Sequence, residues 1–435
     1  MSSETAPTKK TLLVIGAGPM GLAAAYFASQ AGWRVEVLEA GDRPGGMAAH
    51  FDFAGLSLER FYHFCCRSDH DTMALLAELG LPPIRWVRTR MGFFVDGKLY
   101  RWGDPIALLR FPLMSLAEKV RYGLQAYLST KRSDWRRLDR LSAADWFRAW
   151  CGQRVYDKFW RPLFELKFYE HTESISAAWI WQRIKRLGRS RRSLLQEELG
   201  YIEGGSEALV KRLVAAIEDA GGRVSLSMPA RRLVIADDHI VGVETSDGRL
   251  ICADQVISTV AMPYVAALLA ERPDLAQPYA AFENVGVVCV IHHLARPVSP
   301  NFWVNISDPE INIPGFVEFS NLRPVGQTIV YVPYYMPSSH QAFLRPDQAF
   351  ITESFEHLRR VNPALAAEDR LESYVGRLKY AQPVCDVGFA DRIPSPQTRV
   401  GGLQIADTCF YYPEDRGVSE SIAFAKQMVA ALPHG

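Results

Sequence analysis

Cysteine is scarce and unordered in this 435-residue chain. The seven residues, Cys65, Cys66, Cys151, Cys252, Cys289, Cys385 and Cys409, contain no C-x-x-C pair. Their odd number and scattered spacing exclude a disulfide framework and give no metal site, and a reducing cytoplasm is the expected setting. Net charge is nearly absent too, with 49 Lys and Arg against 48 Asp and Glu. A dedicated nucleic-acid binder carries a basic domain, so nucleic acid is not an expected partner. No apolar run reaches the ~18 residues of a spanning helix. Lys9 and Lys10 before Leu12–Ala28 imitate a secretory signal, but Gly16, Gly18, Pro19 and Gly21 interrupt that stretch with turn chemistry. Internal repeats and low-complexity tracts are missing as well. What remains, 48 % hydrophobic residues with 31 Gly and 26 Pro, is an ordinary globular composition, and the length predicts two or three domains.

The strongest positive signal is at the beginning. Thr11 to Ile15 read as a short buried strand, Gly16 to Gly21 as a glycine turn, Leu22 to Ala31 as an alanine-rich helix, and Arg34 to Leu38 as a second strand ending at Glu39. In this G-x-G-x-x-G, Gly16 permits the tight turn, Gly18 lets the backbone approach a pyrophosphate, and Gly21 lets the helix close on the strand. Pro19 and Met20 open the helix, whose N-terminus offers amide donors and a positive dipole end. Glu39 stands 23 residues beyond Gly16, where an acid binds the hydroxyls of an adenosine ribose.

Glu39 is followed by Ala40-Gly41-Asp42-Arg43-Pro44-Gly45-Gly46-Met47. This resembles the R-x-G-G extension of the flavoprotein superfamily of flavin amine oxidases, protoporphyrinogen oxidase, phytoene desaturases and UDP-galactopyranose mutase. The resemblance implies non-covalent FAD rather than NAD, with Ala40, Arg43, Gly45, Gly46 and Met47 beside the pyrophosphate and flavin. Two later segments are similar to the same superfamily. Gly200 to Ala261 contains Gly204-Gly205, a helical period through Leu209, Leu213 and Ile217, and short strands at Arg223 to Ser227, Arg232 to Ile235, Ile240 to Thr245 and Gln255 to Thr259. There the resemblance places Ala230 and Leu233 against the adenine. Gly402 to Asp407 read as a strand ending in an acid, and Arg416-Gly417-Val418-Ser419 open the last helix, Glu420 to Leu432. Asp407, Gly417 and Val418 are thereby implied at the ribityl, pyrophosphate and N1 side of the cofactor. A helix N-terminus there suits the negative charge of reduced flavin.

The expected fold class is α/β. A discontinuous Rossmann-like FAD domain of the glutathione-reductase type (1–60, 196–262 and 396–435) is joined by a substrate domain. That domain comprises a mainly helical, basic and Trp-rich insertion (61–195), with strands around Met91 to Trp102, and a mixed segment (263–395). The latter has strands at Val285 to His292, Phe316 to Ser320 and Thr328 to Tyr335, and a helix near Gln348 to Val361.

Candidates for catalysis are softer. The amine oxidases' flavin-side Lys has no counterpart in Val285 to His293, which demotes amine oxidation. His63, in Glu59-Arg60-Phe61-Tyr62-His63-Phe64, is either a proton donor or flavin contact, or a packed residue. Glu318 is an inward acid or the wet face of a strand. Tyr331, Tyr334 and Tyr335 with Pro333 line an aromatic channel or belong to the core, and Arg377, Tyr380 and Gln382 are further candidates. Arg416 is placed to neutralise reduced flavin or an anionic substrate, whereas Cys385 and Cys409 read as buried thiols.

The neutral total hides one bias. Residues 101–200 hold 20 Lys and Arg against 11 Asp and Glu, and seven of the ten Trp. The run Arg183, Lys185, Arg186, Arg189, Arg191, Arg192 after Trp179 and Trp181, and an amphipathic segment from Arg110 to Tyr127, suit an anionic membrane surface. A solvated helix face with the tryptophans in its own core is the alternative. The expected function is hydride transfer between flavin N5 and a lipophilic, phosphate-bearing or otherwise anionic small molecule. The setting is a cytoplasmic protein peripheral to the inner face of the membrane. A flavin-dependent sugar-nucleotide mutase and a non-catalytic lipid-binding carrier are the alternatives.

Overall fold

The computed structural model describes residues 10–193 and 196–433; Lys9 and the expected boundary at residue 195 lie outside them. Thr11–Ile15 forms the centre of a five-stranded parallel sheet. Arg34–Leu38 and Gln255–Ser258 flank it, and Arg223–Ser225 and Leu403–Ile405 close the edges. Both ends of the chain and its middle therefore meet in one sheet. Helix Pro19–Gln30 packs between this sheet and helices Ser206–Asp219 and Val418–Ala430. Being covered on several sides, it is apolar nearly all round, and Ala23, Ala24, Ala25 and Ala28 are wholly buried. Gly21 is the contact that sets its distance from the strand, because a Cβ there would lie 1.9 Å from the Gly16 carbonyl oxygen. A small antiparallel sheet, Ala230–Ala236, His239–Thr245 and Leu250–Cys252, flanks the parallel one.

A seven-stranded sheet forms the second layer. Its order is Arg370–Pro383, Asn284–Leu294, Thr328–Pro337, Gly315–Glu318, Trp303–Ile306, Met91–Val95 and Lys98–Trp102. All neighbours are antiparallel except Trp303–Ile306 with Met91–Val95. The two last strands come from the segment expected to be mainly helical and fasten it to the sheet. Alternation splits the sheet's faces. Val287 and Cys289 look into a large cavity. Val288 and Val290 pack on the other side with Phe350, Phe355 and Leu358 of helix Asp347–Val361. The 14-residue strand Arg370–Pro383 escapes a reading by hydrophobic alternation. It lies at the sheet edge, where Glu372 and other polar residues reach solvent.

The remaining helices, among them Leu116–Lys131, Ala143–Cys151, Arg161–Phe168 and Ala177–Arg189, enclose an aromatic core of their own. Trp146, Trp179 and Trp181 are buried, and the Phe147 ring stacks on Trp160 with centroids 4.3 Å apart. Of the two readings of these tryptophans, the helices' own core is the one the structure shows for Trp146, Trp179 and Trp181. Part of the cationic run also turns inward, while Arg189 and Arg192 stay exposed. Arg186 pairs with buried Asp69 at 2.9 Å, Arg189 donates to the Thr130 carbonyl at 2.9 Å, and Arg191 donates to the Gly103 carbonyl.

The close helix–strand approach gives a stability prediction. Gly21→Ala forces the helix off the strand and destabilises the cofactor-free protein by about 1–3 kcal/mol, the usual range for overpacking. Urea unfolding of the apoprotein checks this.

Candidate active site

Two helices end at one cavity. The first, Pro19–Gln30, follows Gly16, whose φ of +101° makes the sharp exit from the strand. Gly18 is its N-cap, and no side chain caps it. A Cβ at Gly18 would meet nothing within 4 Å, so the space before these amides is open. The second, Val418–Ala430, has Gly417 as an N-cap, also without a side-chain cap. Here a Cβ would collide with Glu420 Oε2 at 2.0 Å. At 417 the neighbour is the tip of the flexible Glu420 side chain, whereas at 18 glycine leaves room for something else.

The cavity measures about 1600 Å³. Gly16, Gly18, Pro19, Met20, Glu39, Ala40, Gly46, Met47, Ala230, Asp407, Gly417 and Val418 line one end of it. The Glu39 carboxylate accepts from the Ala17 amide and the Gly41 amide, both at 2.8 Å, which fixes it beside the glycine turn. Asp407 is buried, and its oxygens accept from the Cys409 amide at 2.8 Å and the Met262 amide at 2.9 Å. Four expected cofactor residues are not on the wall. Gly21 supports the helix from behind. Gly45 donates to the Ala17 carbonyl at 2.7 Å and holds the loop. Arg43 faces outward in an ion pair with Asp52 at 2.8 Å. Leu233 is a buried core residue, because alternation along its strand turns it away from the cavity.

His63, Tyr335 and Arg416 do converge on the cavity. Buried Glu59 anchors the segment leading to His63, with Ser206 donating to its carboxylate at 3.1 Å and Tyr331 Oη donating to its carbonyl at 2.7 Å. Burial lowers the pKa of the His63 imidazole below its usual value, against the pull of Glu59. Its Nδ1 is buried without a hydrogen-bond partner. Burial, then Tyr335, holds the Tyr62 phenol well above the ordinary range. Arg416 donates to the Ala381 carbonyl.

Glu318 is a correction. Val317 lines the cavity, so the next residue of the same strand points to the opposite face. There Glu318, 1 % exposed, accepts from the Ser299 amide at 2.8 Å. Burial pushes its carboxyl up to about 8. It is neither the wet face nor an active-site acid. Among the tyrosines, Tyr331 and Tyr334 are core, while Pro333 and Tyr380 line the cavity. Arg377 turns away to Asp347, and Gln382 accepts from Arg183 at 3.2 Å. Cys385 and Cys409 are buried thiols.

The sequence matches the profile of the flavin containing amine oxidoreductase family over residues 21–406. The chain belongs to that family. It is 25 % identical over 281 residues to amine oxidase [flavin-containing] A of Canis lupus familiaris, covering 61 % of this chain and 52 % of the relative. It is also 25 % identical over 291 residues to the phytoene desaturase (lycopene-forming) of Pseudescherichia vulneris, covering 58 % and 55 %. The chain thus spans about half the length of these curated relatives. A crystal structure described as a candidate protoporphyrinogen oxidase from Exiguobacterium sp. 255-15 superposes with a TM-score of 0.75 at 20 % identity over 99 % of both chains. Reduced UDP-galactopyranose mutase gives 0.73 at 15 % over 97 % of this chain and 95 % of that one. These two likenesses establish the fold.

The family's cofactor is FAD, and this chain's residues fit it. The open space before Gly18 and the uncapped amides suit a pyrophosphate, fixed Glu39 suits the ribose, and the second helix N-terminus suits the flavin. Lys167 and Asp415, on the cavity wall, belong to no segment marked in the sequence, while Arg183 stands there only in the cationic run and Tyr62 only beside His63. A signal for two of them existed. Lys167 shares a helical face with Trp160, Leu163 and Phe164, and Arg183 follows Trp179 by one turn, so both are cations on apolar faces.

The Glu318 environment is testable. Its raised pKa favours the protonated native state, so this group's contribution is complete below about pH 4.5 and is lost progressively as pH rises to about 8. Glu318→Gln should therefore gain melting temperature over the parent across that interval, level off above it, and retain catalysis. Thermal unfolding at a series of pH values checks the first point.

Proposed function

We propose that this protein is an FAD-dependent oxidoreductase that moves a hydride between flavin N5 and a lipophilic small molecule reaching it from an anionic membrane surface. The observation that carries this reading is the continuity of one cavity from the glycine cradle to an apolar corridor. At about 1600 Å³ it exceeds the roughly 300–1,000 Å³ of pockets for one drug-sized ligand. A dinucleotide and a second molecule can share it. FAD bound in the cradle supplies two-electron chemistry at its ring system.

The chain's own residues supply orientation and exclusion of water. Tyr62 sits edge-on to Trp303 and Tyr331, with centroids 5.5 and 5.8 Å away, which fixes it on the cavity wall. His63, kept neutral by burial, offers an unpaired ring nitrogen for proton transfer. Farther out the wall includes Leu108, Tyr122, Trp160, Leu163, Ile184 and Leu187, with Thr130, Lys131, Arg189, Arg191 and Glu197 at its rim. The apolar stretch of this wall favours a substrate with an apolar body over a sugar nucleotide. The intact cradle favours an enzyme over a lipid carrier.

The corridor's outer wall includes Tyr122, Ala126 and Tyr127 of helix Leu116–Lys131. The same helix exposes Leu116, Val120, Leu124 and Leu128 in a stripe, and the adjacent helix Pro105–Arg110 exposes Ile106 and Leu109. Residues 105–133 hold five Lys or Arg against one acid, Glu118. An apolar stripe with cationic borders matches an anionic bilayer surface. No described helix is long and apolar enough to cross a membrane.

Two measurements test this reading. The purified protein should carry FAD that acid precipitation releases, and its visible absorbance should bleach anaerobically with a lipophilic reductant substrate. Sugar nucleotides should leave the flavin and themselves unchanged. On vesicles of phosphatidylcholine with phosphatidylglycerol, Leu116→Glu combined with Val120→Glu should cut flotation at least several-fold; undiminished binding contradicts membrane delivery.

A further inference from the structure

Three cations and one acid meet where the corridor reaches the cofactor cradle. Lys167 comes from helix Arg161–Phe168, Arg183 from helix Ala177–Arg189, and Asp415 and Arg416 from the turn before helix Val418–Ala430. The acid is committed: Asp415 Oδ1 accepts from Arg183 at 2.5 Å. Arg416 donates to the Ala381 carbonyl, and among the described residues no carboxylate forms an ion pair with it. Lys167 has rings around it, with Nζ 4.7 Å from the Tyr335 centroid, 5.0 Å from Trp179 and 5.6 Å from Phe168. Among the described residues no carboxylate forms an ion pair with it. Burial, with Arg183 and Arg416 beside it, drives the Lys167 ammonium well below its ordinary pKa. Arg183 Nε is likewise buried without a hydrogen-bond partner.

Burial disfavours the charged form of Lys167, and Arg416 has no carboxylate of its own among the described residues, so an anion bound between them would hold the Lys167 ammonium in its charged form and pair with both. The N-terminus of helix Val418–Ala430, without a side-chain cap but with Glu420 in its first turn, faces the same site. We propose that Lys167, Arg183 and Arg416 form a binding subsite for the anionic head, a carboxylate or phosphate monoester, of the lipophilic substrate. The rings around Lys167 meet the first methylenes of the tail, and the corridor takes the remainder. The substrate class is then an apolar acid, and an amine is disfavoured because its ammonium would meet like charge. The substrate assignment rests on the lipophilic-substrate reading above, whereas the anion subsite stands on its own cluster of charges.

Calorimetric titration of the FAD-loaded protein with octanoate, octyl phosphate, octylamine, octanol and acetate tests the subsite without turnover. Octanoate or octyl phosphate should bind at least about tenfold more tightly than octylamine, as charge-assisted hydrogen bonds imply. The tighter of the two identifies the head group. Lys167→Met should lose about tenfold in affinity for that anion and nothing for octanol, while Lys167→Arg should keep most of it. Octylamine binding as tightly as both anions overturns the proposal. So does a Lys167→Met protein with undiminished anion affinity, including one in which only the flavin midpoint potential moves, which would assign the cluster to the cofactor. If acetate matches octanoate, the anion subsite stands and the lipophilic reading falls. If the protein takes up no FAD yet binds octanoate through Lys167, the subsite stands and the redox reading falls.

Discussion

The structure depends on the meeting of two helix N-termini at one cavity. Helices Pro19–Gln30 and Val418–Ala430 both present uncapped amides there. Positive dipole ends turned toward a common space, with Arg416 close by and Asp415 and Glu420 offsetting only part of the charge, favour an anion between them. The parallel sheet enforces the arrangement. Its strands Thr11–Ile15 and Leu403–Ile405 flank Gln255–Ser258 and point the same way, so the turns that follow them emerge at one edge, where open α/β sheets bind ligands. Glycine at 16 and 21 allows the first helix to close on its strand, and glycine at 18 leaves the space in front of it free. FAD, the cofactor of this family, has the pyrophosphate that such an end requires.

The seven-stranded sheet supplies the second constraint. Because successive residues face opposite sides, it divides the chain's chemistry into two lots. Val287, Cys289, Val317 and Tyr335 line the cavity, whereas Val288, Val290, Tyr334 and Glu318 lie against the far core or its polar fringe. A shift of one residue in any strand would exchange the lots. The helical layer then roofs the cavity, and its cations reach the interior because the helices that carry them are apolar on the same face. The positive surplus of residues 101–200 is therefore divided between an inner wall and an outer surface.

The cofactor half of the molecule was legible in the sequence because its residues act through backbone conformation. Gly16, Gly18 and Gly21 followed by Glu39 specify a turn, a helix start and a fixed acid within one contiguous segment, and Gly417–Val418 do the same for the last helix. The substrate half was not legible in this way, since its residues come from separate segments and alternation decides their direction. Glu318 reads as a candidate acid until the neighbouring Val317 is seen to take the cavity side. Arg43 and Leu233 resemble the family in position but turn outward or into the core. Lys167 and Arg183 belong to no motif, and only their place on apolar helical faces marks them. The tryptophans left interface and core open for a related reason: composition records that they are present, while burial of Trp146, Trp179 and Trp181 depends on how four helices pack.

The central claim is that the open space before Gly18 is the seat of the FAD pyrophosphate. Titration of FAD into the apoprotein, comparing the parent with Gly18→Ala, tests it most directly. The account predicts one FAD per chain in the parent. In the variant it predicts at least a tenfold loss of affinity with unchanged apoprotein unfolding, because the added methyl meets no protein atom within 4 Å. Equal FAD affinity in the two proteins, or no binding by the parent, would contradict it.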